Sequence, residues 1–231
     1  MKKSKRVITR RDFLRTGSYA AVGSLMGWPW TTHAAGSQTA KSRVVLTRDE
    51  NLINASGELR AGNLADMLDQ AIQALFNTDD ASAAWQQLFD AKDIVGIKSN
   101  VWWHLPTPQT LEEILQERLL AAGVRKQNIS VDDRGVRRNP IFKNATALIN
   151  VRPMRTHSWS GLGTLLKNYI MFVSMPSRYH GNACEKLGAI WQTSNLRDKT
   201  RLNILVMITP LFHGVGPHHF SRQYTWFYCG L

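Results

Sequence analysis

Between Asn63 and Phe76 the apolar residues Leu64, Met67, Leu68, Ile72, Leu75 and Phe76 recur three and four positions apart, the period of a helix with one buried stripe. The spacing predicts a helix over NLADMLDQAIQALF and a second, shorter one over SAAWQQLFD. Short apolar runs read differently. RVVLTR (Arg43 to Arg48), DIVGIKSN (Asp93 to Asn100), NISVDD (Asn128 to Asp133), ATALINV (Ala145 to Val151) and RLNILVMI (Arg201 to Ile208) are too short for helices and are bounded by polar residues, so they predict strands. The last is continuously apolar, as a strand covered on both faces requires. Between them, Thr110 and Glu113 have the spacing of a capping box for TLEEILQERLLAAG, which would bury Leu111, Ile114, Leu115 and Leu119 and stop at Gly123. GLGTLLKNYIMFV predicts a further helix. Strand, helix and strand alternate, and the expected fold is α/β: a layered, mostly parallel sheet with helices on both faces.

The first 34 residues follow another pattern. The basic start and the paired Arg10 and Arg11 precede Phe13, Leu14 and the weakly apolar SYAAVGSLMGW, and then small residues, Thr32 and Ala34, at the spacing a processing enzyme recognises. This looks like a bacterial twin-arginine signal peptide, with cleavage after Ala34, passage through the twin-arginine translocation machinery and a periplasmic destination. Its apolar part falls short of the roughly 20 residues a bilayer requires and is broken by Gly23, Gly27 and Pro29, so no permanent membrane span is expected. Residues 35–231 then form one α/β domain beginning with a flexible AGSQTAKS. The leader also changes the reading of charge. The formal net charge is +12, but Lys2, Lys3, Lys5, Arg6, Arg10, Arg11 and Arg15 against Asp12 place half of it before Ala34. The remaining clusters, GVRKQ, DDRGVRRN and RPMRTH, read as solvated surface, and with no nucleic-acid motif no nucleic-acid partner is expected.

In open parallel sheets ligands sit beyond the carboxyl ends of the strands, which selects Lys98, Asn100, Asp132, Asp133, Asn150, the RPMRTH loop and Thr209 to His219 as residues that can converge on one cleft. Gly161 and Gly163 ahead of a helix, with Lys167 one turn on at an exposed helix position and Asn168 beside it, can hold an anion such as phosphate or carboxylate through backbone amides and an ammonium. The same spacing also describes a tight turn before an amphipathic helix, and it is not a P-loop. Lys98 would add a second cation or be a surface charge. His157 is the preferred acid–base or ligand residue, and His180 and Cys184, four apart, would share a helix face as a metal pair needs. His213, His218 and His219 read as an exposed loop, and Trp102 and Trp103 as packing or a pocket wall. With two cysteines, Cys184 and Cys229, the chain cannot supply a disulfide framework or a four-cysteine cluster. Neither a Gly-x-Ser-x-Gly elbow nor a zinc-protease pair nor a dinucleotide fingerprint is present.

Four segments in order, VGIKSN, ALINVRPMRTHSWSGLGTLLKNYIMFV, PSRYHGNACEKLGAIWQ and KTRLNILVMITPLFHGVGP, resemble the domain of unknown function 362 family in its exported branch, from about Val44 to the end. The resemblance implies an α/β fold, gives Lys98 and His157 a place in the family pattern, and implies an iron–sulfur or other metal cofactor in a redox-type role, since some relatives carry a ferredoxin-like cluster domain. The alternatives are a non-enzymatic periplasmic binding or accessory protein, taking a small anion or a redox partner, and an inactive remnant. Thr209 and Pro210 stand where the family often has an acidic residue. Relatives also continue past FYCGL into a segment with an Asp-Pro pair, so the chain is expected to be a C-terminally truncated member.

Overall fold

Among the described residues five strands make a mixed sheet in which all but one pair run parallel: β1 (Val95–Lys98), β2 (Ile129–Asp132), β3 (Ala147–His157), β4 (Gly161–Gly163) and β5 (Thr200–Leu211). The computed structural model describes residues 42–157, 159–192 and 196–211. β1 lies between β2 and β3 and is parallel to both, with Lys98 opposite Asp132 on one side and Asn150 on the other. β5 runs parallel to β3 on its far edge. β4 is antiparallel and pairs only with Arg155 to His157. Since β5 already holds the other edge of β3 as far as Arg155, β4 takes up the edge that β1 leaves when it ends.

Helices α1 (Ala61–Phe76), α2 (Ala81–Leu88) and α3 (Gln109–Ala121) carry the apolar stripes the periodicity predicts: Leu64, Met67, Leu68 and Ile72 on the first, and Leu111, Ile114, Leu115 and Leu119 on the third, are all buried. They pack in one core with Val95, Ile97, Ala147, Ile149 and Val151. Leu148, on the opposite side of β3 by the two-residue period, belongs to a second core with Phe142 of α4 (Pro140–Asn144), Tyr169, Cys184 and Leu187. Short helices α5 (Leu165–Asn168), α6 (Leu187–Gln192) and α7 (Leu196–Lys199) complete the described chain. At the amino end of the sheet Asp93 holds the β5 arginine Arg201 through two contacts, at 2.5 and 2.8 Å, and accepts from Thr146 Oγ1 at 2.6 Å. That carboxylate ties the starts of three strands together.

Several expectations change. Residues 43–48 form no strand; Val44 and Leu46 are exposed, and the backbone pairs through isolated bridges alone. The capping box is not made: the N-cap is Pro108, two residues ahead of Thr110, with no side-chain cap, and Glu113 accepts instead from Gln109 Nε2 at 2.8 Å. RPMRTH is not a loop but the second half of β3, and Thr209 to Leu211 continue β5 instead of leaving it. Residues 161–173 are not one helix. They split into β4, the four-residue α5 and a 3-10 turn, Tyr169–Phe172, because Gly161 reverses the chain at φ 71° and Gly163 pairs with β3. Arg10, Arg11 and Ala34, and His213, His218, His219 and Cys229, lie outside the described residues.

Gly96 in β1 has no room for a side chain: a Cβ there would stand 2.8 Å from Phe142 Cε1 and 3.0 Å from Leu148 Cδ2. Gly96→Ala is therefore expected to lower stability by about 1–3 kcal/mol through overpacking. Urea unfolding checks this, and adding Phe142→Leu should return part of the loss.

Candidate functional site

Strand order determines where the cleft opens. β1 leads outward through α3 to β2, whereas β3 leads the other way to β5, so the connections leaving the carboxyl ends of β1 and β3 diverge. A crevice at such a reversal is the usual ligand position in a parallel sheet. There the ladder between β1 and β3 stops at Lys98 and Asn150, and the carbonyls of Lys98 and Val151 need other donors. Asn168, delivered by α5, supplies them: its Nδ2 donates to Lys98 O at 3.1 Å, Asn150 Oδ1 at 2.8 Å and Val151 O at 3.1 Å. Its Oδ1 accepts from Lys98 Nζ at 3.1 Å and Asn100 Nδ2 at 3.3 Å. Asn150 in turn donates to Leu165 O and Asn203 Oδ1, joining β5 to the same network.

Lys98 is fully buried, and its three donors meet Asp133 Oδ1 (2.5 Å), Ser99 O (2.6 Å) and Asn168 Oδ1. Burial lowers its basicity while the Asp133 carboxylate works against that loss. Asp133 Oδ2 also accepts from Val101 N at 2.9 Å, so the pair pins the loop after β1 to the loop after β2. The lysine is therefore a structural cation, neither a surface charge nor a free catalytic amine. Asp132, by contrast, closes its own loop, accepting from Gly135 N and Asn139 Nδ2.

Beyond this floor lies a cavity of about 400 Å³ lined by Asn100, Arg152, Arg155, His157, Lys167 and Asn168, with Trp102, Trp159 and Met171 among its walls. Regular alternation would send Arg152 and Arg155 to opposite faces of β3, since they are an odd number of residues apart. The register of β3 against β5 breaks between Pro153 and Arg155, and both line the cavity. Arg152 is 2% exposed, and its Nε and Nη2 are buried with no hydrogen-bond partner among the described residues. Gly163 makes room for it; a Cβ at that position would stand 3.3 Å from Nη2. Burial and the neighbouring Arg155 bring the Arg152 guanidinium down to about 9, against the pull of Asp133. Arg155 reaches Asn100 Oδ1 at 3.2 Å and stacks on Trp102, 4.0 Å from the ring centroid.

Lys167 is not exposed on a helix, as its spacing predicted, but 6% exposed, with Nζ 2.8 Å from His180 Nε2. Burial brings the amine down to about 8, with Arg152 and Arg155 adding to that against an opposing contribution from Cys184. His157 Nδ1 accepts from the backbone amides of Trp159 and Ser160, both at 3.3 Å, which leaves the proton of the neutral ring on Nε2. Burial, then Lys167 and His180, push it down to about 4. The neighbouring imidazole of His180 is lowered too, first by burial and then by Lys167.

Of the residues the sequence picks out, Asn100, His157, Lys167, Asn168 and His180 meet at this cavity. Gly161 and Gly163 do not open a helix toward an anion; they form β4, and α5 is too short to offer an amino-terminal site. His180 and Cys184 do not share a helix face, because Asn182, Ala183 and Cys184 all take left-handed backbone angles. Cys184 is a buried free thiol whose Sγ faces His180 O at 4.0 Å. Among the described residues no three His, Cys, Asp or Glu side chains group as metal ligands, and no helix is long and apolar enough to cross a membrane. The sequence places RPMRTH at the cleft only as a loop and does not single out Arg152 and Arg155 as ligand residues, because the cluster also reads as solvated surface until β3 is seen to run through it. Their signal was the close pairing of two arginines with the end of an apolar strand. No family model, curated protein or solved structure matches the chain.

Two outcomes test this electrostatic picture. Lys98→Met should cost about 3–5 kcal/mol, since it leaves Asp133 buried without its cation, and Lys98→Met with Asp133→Asn should recover part of that in urea unfolding. His157 binds its proton less readily folded, at about 4, than unfolded, at 6.5. Between those values the unfolded chain holds more protons, so its contribution to stability is complete above 6.5 and is lost as pH falls toward 4. Thermal melting across that window should show a shallower acid-side decline in His157→Gln than in the parent.

Proposed function

We propose that the cavity binds a small anion, a carboxylate or phosphate group, held by Arg152, Arg155 and Lys167. One observation carries the reading: among the described residues Arg152 is buried with two unpartnered nitrogens beside the further cations Arg134, Arg155 and Lys167, and the only carboxylate they give the cavity wall is Asp133, already engaged by Lys98. Burying a guanidinium without a hydrogen-bonding partner is unfavourable, and an anion would complete it. Asn100 and the Nε2 proton of His157 would add neutral donors. Trp102, Trp159 and Met171 give the rest of a bound molecule an apolar surface.

The chain we describe in this way is an exported α/β protein, layered with helices on both faces, whose leader through Ala34 uses Arg10 and Arg11. Alternate β3 residues entering two separate cores support the layering. Its resemblance to the domain of unknown function 362 family belongs to the same proposal. The iron–sulfur cofactor which that resemblance implies does not fit the donors of this chain alone, since a cubane cluster takes four thiolates and the sequence holds two cysteines. A binding or accessory role needs only the anion site, and the residues favour it.

Sulfate, a dianion across the neutral range, is the probe, with calorimetry as the measurement. Arg152→Met should weaken sulfate binding about tenfold or more, the value of a lost charge-assisted hydrogen bond, while leaving the unliganded protein at least as stable. Parent affinity should be greatest below about 8 and fall as pH rises through the value at which Lys167 loses its proton. Sulfate affinity unchanged in Arg152→Met would end the reading.

A further inference from the structure

We propose that Lys167 is a carbonyl-reactive amine, its Nζ condensing with the carbonyl of a small aldehyde or ketone whose acid group is held by Arg152 and Arg155. The proposal rests on the anion-binding reading of the cavity and adds to it a covalent step. The two buried lysines differ in a decisive way. Lys98 Nζ is saturated by Asp133, Ser99 O and Asn168, and serves the framework. Lys167 Nζ lines the cavity and meets an imidazole nitrogen, His180 Nε2 at 2.8 Å, and among the described residues no carboxylate pairs with it. An amine nucleophile must shed a proton first, and a neutral imidazole lone pair at hydrogen-bond distance can receive it. Low polarity around the chain and nearby guanidinium charge favour the neutral amine, which is present at appreciable fraction near pH 8.

The step balances without any oxidant or reductant. The Nζ lone pair forms a bond to the carbonyl carbon, and the carbonyl π pair moves to oxygen, which takes a proton. The resulting hydroxyl then leaves as water with a second proton as nitrogen donates its pair back to carbon. Counted from the ammonium, two of its three protons depart in the water and one remains on the protonated imine. His157 Nε2–H and His180, whose rings stack with centroids 6.1 Å apart, are the proton-carrying groups beside Lys167. A carboxylate or phosphate on the same small molecule would lie against Arg152 and Arg155, so the cations that favour the free amine also select acidic carbonyl compounds.

The test traps the imine in the full chain with borohydride, using glyoxylate as the carboxylate probe and glyceraldehyde 3-phosphate as the phosphate probe, followed by peptide mapping. Label concentrated at Lys167, saturable and suppressed by sulfate, is the expected result, and whichever probe labels at lower concentration identifies the acid group. Lys167→Arg keeps a positive charge but has no amine able to condense with a carbonyl, and should lose the label. Label spread evenly over the surface lysines, with sulfate still bound, overturns the amine's role and leaves the anion site standing. Label at Lys167 that sulfate cannot suppress overturns the part given to the arginines. Failure of both sulfate binding and labelling removes the anion site and this proposal together.

Discussion

A parallel ladder that ends while its strands are still buried leaves carbonyls without donors, and the carboxamide of Asn168 resolves this for β1 and β3. It donates to both strands and accepts from Lys98 and Asn100. Every other feature of the cleft depends on that bracket. With Asn168 seated, α5 is held over the strand ends, the adjacent Lys167 is carried to the cavity, and Asn150 extends the network to β5. A buried polar network of this kind is favourable only when its members are satisfied, and here the floor is satisfied throughout.

The cavity above it is built on the opposite principle. Lys98 has its carboxylate, but Arg152 has two buried nitrogens with no partner among the described residues, and Arg155 and Lys167 add positive charge to the same space. Such an arrangement costs stability in the absence of a ligand, and native structures concentrate such costs where they bind or react. The contrast between a neutralised floor and an uncompensated wall separates the residues that maintain the fold from those that face a ligand. Burial first, and then the cations beside them, make both histidines less ready to take a proton.

Much of the framework was legible in the chain. The stripes of α1 and α3 were visible because helical periodicity is a local property; Lys98, Asn100 and His157 were found by asking what stands at strand ends, and Lys167 and Asn168 from the glycines ahead of a helix. The errors have a common origin in pairing. Residues 43–48 have the composition of a strand, yet the segment joins none of the five strands in a ladder, and Val44 and Leu46 stay exposed. GLGTLLKN has the composition of a turn and a helix, but the exposed edge of β3 beyond β1 recruits Gly161 to Gly163 as a strand. His180 and Cys184 have helical spacing, and the left-handed angles of three consecutive residues separate them.

Local pattern by itself thus determined the α/β class, the helices that cover the first core and the strand-end residues that frame a cleft, since these follow from periodicity and from the chemistry of the residue types. Tertiary structure alone decided that Arg152 and Arg155 share a cavity, that Lys98 is neutralised while Lys167 is not, and that the glycines serve a sheet edge. The physical reason is that burial and charge pairing are set by neighbours distant in the chain: Asp133 lies 35 residues from Lys98, and Asn168 lies 70 from it. The break in the β3–β5 register that brings the two arginines together has no signature in either strand taken alone.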